Sequence, residues 1–158
     1  MKLKKLAVVV LGLLGVMAFV TLAQAQAPDA LGKAIADKHL EALKQLNALM
    51  KDRPEPKDLT PKVDALKEET IKQMVELGRK VAALDEAGRK KVDTKVSMAL
   101  GSMPMDVFKP FSEGQQFYAK QDPKLGKTIK DFNIITQYAL FDLLKKQEPK
   151  EAERLGIK

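Results

Sequence analysis

An all-α fold, an antiparallel bundle of about four helices with one additional short helical segment, is what this sequence predicts, and three observations carry it. Apolar residues recur at spacings of three and four over long stretches, strand-like alternation is almost absent, and the breaks fall at prolines and capping residues. The most apolar run beyond the N-terminus, Phe132 to Leu144, is apolar around much of its circumference. Phe132, Ile135, Ala139 and Leu143 make one line at helical spacing, and Ile134, Tyr138 and Phe141 make another. Such a helix belongs at the centre of a bundle, packed on several sides.

In chain order, Met1 to Ala25 has the layout of a secretory signal peptide. Lys2, Lys4 and Lys5 form a positive start, Leu6 to Leu22 an apolar stretch, and Ala23-Gln24-Ala25 the small-x-small pattern cleaved by a signal peptidase. Cleavage leaves Gln26 as the first mature residue, with 26–158 a single helical domain. The competing reading is an uncleaved anchor, since the apolar stretch is near the lower limit of about 17 residues for a membrane span.

A first helix is expected over about Asp29 to Lys51, with Leu31, Ile35, His39, Leu43, Leu46 and Met50 on one face. Asp52 to Lys57 holds two prolines and reads as a loop. The second helix is expected to start at Thr60 as cap and Pro61 as first helical residue, and then to follow Val63, Leu66, Thr70, Met74, Leu77, Val81 and Leu84. Asp85 is a cap for a third helix carrying Val92, Val96 and Leu100.

Met105 to Lys120 contains Pro110 and Gly114, which predicts one or two short helical pieces rather than a full bundle helix. Asp122 and Pro123 cap and start a last long helix running to about Gln147, with a final turn at Glu151 to Leu155. All the aromatics of the mature chain lie between Phe108 and Phe141. The expectation is therefore that the irregular segment folds over the last long helix as an aromatic flap, its rings forming core in preference to a ligand groove.

Composition excludes several function classes. With no cysteine there is no disulfide framework, no thiol chemistry, no zinc-thiolate site, no covalent haem attachment and no lipoprotein anchor. The chain carries 28 basic and 21 acidic residues, and loss of the three signal lysines lowers the net charge from +7 to +4. These charges alternate in sign along helical stretches such as Lys62 to Lys91, the pattern of a solvated, ion-paired face. Nucleic acid is not an expected partner, because a one-sided basic stripe interleaved with aromatics is missing.

The candidate chemistry is sparse. His39 is the sole histidine and falls on the apolar face of the first helix, where a packed ring is the favoured reading over a ligand or proton carrier. A di-iron carboxylate bundle needs Glu-x-x-His, and the residue three before His39 is Ala36. Met98, Met103 and Met105 are soft thioether donors suited to Cu(I), with His39 as a further ligand; the alternative is ordinary methionine packing. The adjacent carboxylates Glu68-Glu69 diverge on a helix, and no serine has a nucleophile-elbow setting.

On the central stretch, Asn133 and Gln137 share a helical face. They form either a polar seam that sets register or, with Tyr138 and the rings of Phe108 and Phe117, a site that reads a polar group on a ligand. The functional expectation is an exported, soluble envelope protein that acts by binding or protein interaction rather than catalysis. Its partner is an unidentified protein or a small apolar ligand, and it needs no cofactor and keeps no membrane anchor after cleavage. Periplasmic copper handling and small-molecule binding stand as alternatives.

Overall fold

Helix α1, Pro28–Met50, is the element on which most others rest, touching α2 (Pro56–Ala82), α3 (Glu86–Gly101), α4 (Met105–Gln121) and a 3-10 helix at Phe132–Ala139. The computed structural model describes residues 27–158, so the expected signal peptide lies outside the described residues. The remaining elements are α5 (Pro123–Asp131), α6 (Phe141–Gln147) and α7 (Pro149–Arg154), with no strand among the described residues. The fold is the expected all-α bundle. No helix among the described residues is long and apolar enough to cross a membrane.

The face expected of α1 is the buried one: Leu31, Ile35, His39, Leu43, Leu46 and Met50 all lie inside. The third helix also starts as its sequence predicts, with Asp85 Oδ1 accepting from the Gly88 N–H at 2.7 Å. Asp122 caps α5 by accepting from the backbone N–H groups of Lys124 and Leu125. Each cap satisfies donors that a helix start leaves unpaired.

Helix α2 begins a turn earlier than Thr60. Pro56 takes the first helical position, Pro61 lies inside the helix, and the Thr60 hydroxyl donates back to the Pro56 carbonyl at 2.7 Å instead of capping. Leu59 explains the shift. It is completely buried and sits one turn before Val63, so extending the helix places another large side chain in the core. The carbonyl that Pro61 deprives of a partner belongs to Lys57, an exposed residue.

Two expectations about the second half are corrected. Met105–Gln121 is one continuous helix through Pro110 and Gly114, because Pro110 stands early in it and the carbonyl left free is that of exposed Asp106. Its buried side chains are Val107, Phe111 and Tyr118, and α4 packs on α1 and on α5, the first part of the expected last helix, rather than as a flap over the Phe132 to Leu144 stretch. The Tyr118 hydroxyl donates to the Pro54 carbonyl at 2.9 Å and pins the loop between α1 and α2. The long last helix is likewise divided into α5, the 3-10 helix and α6.

The 3-10 helix is nonetheless central, contacting α1, α2, α5 and α6. At three residues per turn, Phe132, Ile135 and Tyr138 come into line, and all three are buried. Eight residues is a long run for this geometry. One cause is visible at its start, where the Phe132 carbonyl accepts a hydrogen bond from His39 Nε2 at 2.9 Å and so is engaged by α1. Of the second apolar line expected on a regular helix, Ile134 is exposed, Tyr138 buried and Phe141 half-buried.

The close packing of α5 on α4 is directly testable. A Cβ on Gly126 would stand 2.4 Å from Ala119 Cα and 2.7 Å from its N, backbone atoms that cannot yield. A Cβ on Gly114 would meet only the flexible end of Met50. Gly126→Ala is expected to lower stability by about 1–3 kcal/mol, and Gly114→Ala to stay within about 1 kcal/mol of the parent. Urea midpoints check the contrast, which fails if the two variants unfold alike.

Candidate functional site

The nine sequence-predicted site residues do not converge. Asn133 is exposed and Gln137 buried, because a 3-10 turn breaks the shared face that an α-helix would have given them. Phe108 lies on the surface, its ring centroid 6.4 Å from that of Phe111. Phe117 lines a groove between α1 and α4, where the Arg53 guanidinium stands 4.7 Å from its ring centroid. Of the five proposed ligand-site residues, only Gln137 and Tyr138 meet in one place.

The methionine set also divides. Met98 and Met105 are each 68% exposed, whereas Met103 lines a small pocket of about 180 Å³ together with His39. The thioethers of Met98 and Met105 do not line that pocket, and His39 Nε2 already donates to the Phe132 carbonyl. Among the described residues, no group of three or more histidine, cysteine, aspartate or glutamate side chains is placed to hold a metal ion. The copper reading therefore draws no assembled ligand set from this geometry.

Gln137 and Tyr138 open onto a cleft of about 410 Å³ between α2, α5, the 3-10 helix and α7. From α2 come Lys67 and Glu68, from α5 Lys127 and Asp131, and from α7 Glu151 and Arg154, with Glu148 just before α7. Lys67 Nζ lies 2.7 Å and Lys127 Nζ 3.7 Å from the same Asp131 carboxylate oxygen. Arg154 bridges Glu151 at 2.9 Å and Glu68 at 3.4 Å. Burial first, and the Glu151 carboxylate second, push the Tyr138 phenol above its ordinary pKa, so it remains a neutral donor, 3.4 Å from Glu151 Oε2.

Gln137 is the anomaly of the cleft. Its side chain is only 3% exposed, and its Oε1 is buried with no hydrogen-bond partner among the described residues. Buried polar atoms are nearly always paired, so this unpaired oxygen beneath the cleft is an exception that costs stability. The α1–α4 groove holds a second such atom, Asn47 Oδ1, but Asn47 is only half-buried and its Nδ2 already donates to the Val107 carbonyl at 2.8 Å.

Most of the charged residues of this cleft were not candidates from sequence. Lys127 and Asp131 carry a readable signal, a four-residue separation on one helix. Lys67, Glu68, Glu151 and Arg154 carry none, since their meeting depends on how α2 and α7 pack.

Burial holds the His39 ring below its ordinary pKa, against a smaller opposing effect of the Phe132 carbonyl. The folded state thus binds fewer protons than the unfolded state as pH falls through about 6.5, so stability is lost on acidification from there. His39 is the sole histidine, and His39→Gln is expected to flatten the pH dependence of the urea midpoint between pH 7.5 and 5. An unchanged slope in that variant would refute the assignment. Compared with protein-family models, curated proteins and solved structures, the chain gives no match to any of the three.

Proposed function

We propose that this chain is an exported helical-bundle protein of the bacterial envelope that acts by binding, with the cleft at Gln137 and Tyr138 as its ligand site. The observation that carries this reading is the cleft itself, about 410 Å³ between four elements, where seven charged side chains stand beside Gln137 and Tyr138. Several of the side chains lining it are paired with one another, Lys67 with Asp131 and Arg154 with Glu151. A prearranged polar surface of that kind lets a ligand bind without first ordering the residues that contact it. The signal-like Met1 to Ala25 supports export.

Two measurements test the two halves of the proposal. N-terminal sequencing of protein recovered from the native envelope is expected to begin at Gln26, and a start at Met1 removes the processed-signal reading. Native mass spectrometry of the same preparation is expected to show a bound small molecule that Gln137→Met no longer retains. Equal retention by that variant places the ligand site elsewhere.

A further inference from the structure

Burial divides the methionines among the described residues into two sets. Met74 is fully buried, Met50 is buried with its thioether end beside Gly114 of α4, and Met103 is half-buried on the pocket it shares with His39. Met98 and Met105 stand in water on either side of the turn at 102–104, each 68% exposed. Packing uses little of either side chain. Met98 shares the solvated side of α3 with Lys91, Thr94 and Lys95, all exposed, and Met105 opens α4 beside exposed Asp106, Phe108 and Lys109. The chain has no cysteine, so the thioether is its only sulfur group.

We infer that Met98 and Met105 are a redox modification site, which takes oxygen from a two-electron oxidant of the peroxide class ahead of the core methionines and so spares them. In each step a sulfur lone pair attacks a peroxide oxygen, and an S–O bond forms as the O–O bond breaks. The sulfur loses two electrons to the peroxide, and the departing hydroxide takes the proton of the transferred hydroxyl and leaves as water, with methionine sulfoxide as the product. Exposure sets the order, because the oxidant arrives through water. At Met98 and Met105 the new S–O dipole is solvated and the fold stands. At Met50 or Met74 it would be buried among apolar side chains without a hydrogen-bond donor, at a cost to the core. The inference is independent of the cleft at Gln137 and Tyr138.

Peptide mass spectrometry of the purified protein during treatment with hydrogen peroxide tests this. Met98 and Met105 are expected to gain oxygen at close to the rate of free methionine, Met103 more slowly, and Met50 and Met74 about tenfold or more slowly than the pair. In urea, where the chain is unfolded, all of them are expected to oxidise alike. Once the pair is oxidised, the melting temperature is expected to stay within about 2 °C of the parent. With peroxide limited to one molecule per exposed thioether, a variant carrying Met98→Leu and Met105→Leu is expected to take the oxygen at Met103 and Met50 instead, and to melt lower for it. Oxidation of Met50 or Met74 as fast as the pair, the same order persisting in urea, or unfolding on oxidation of the pair alone overturns the inference. So does a double variant whose core methionines gain no more oxygen than the parent's. The order of oxidation in the parent decides the matter even if the double variant fails to fold.

Discussion

The hydrogen bond from His39 to the Phe132 carbonyl joins the two elements on which the rest of the molecule is built. It runs from the middle of α1 to the first residue of the 3-10 helix, across 93 positions of sequence, and both ends are buried. A carbonyl engaged from outside favours the change from the regular helix of α5 to the tighter winding that follows. That winding lines up Phe132, Ile135 and Tyr138 on the core and turns Gln137 inward. The histidine, whose favoured reading from sequence is a packed ring over a ligand or proton carrier, is a buried structural donor, and its influence on the cleft is indirect, through the backbone it holds.

Close approaches between elements do the rest of the positioning. Gly126 brings the backbone of α5 against Ala119 of α4, and Gly78 leaves a notch in α2 that the Phe141 ring fills, since a Cβ there would stand 2.3 Å from Phe141 Cε1. Seating that ring places α6 and then α7 beside α2. The consequence is the cleft, where Arg154 of α7 reaches Glu68 of α2. The exposed ion pairs there contribute little to stability, because water and salt screen them. Their role in the proposed site is geometric, holding charges of known sign at known positions.

Much of the fold was legible because the forces that make helices are local. The stripe of α1, the Asp85 and Asp122 caps, and the stop at Gly101 to Pro104 are readable from spacing and residue type. The misread places are those where tertiary contacts outweighed local preference. Leu59 drew the start of α2 back past Thr60, and α4 continued through Pro110 because Val107 and Phe111 both bury on its face. The candidate site was half legible. Gln137 and Tyr138 stood out as polar groups on an apolar stretch, whereas Asn133, Phe108 and Phe117 were grouped with them only on the assumption of a regular helix under an aromatic flap.

By itself, the sequence determined the all-α class, the approximate extent of the first three helices, the absence of thiol chemistry and the apolar centre at Phe132 to Leu144. These follow from periodicity and composition, which act over a few residues. Only the tertiary structure decided that this centre winds as a 3-10 helix, that Gln137 is buried without a partner, and that Lys67, Asp131, Glu151 and Arg154 face one cleft. Those features arise from groups up to about 90 residues apart in the chain, and the packing that brings them together leaves no local mark in the sequence.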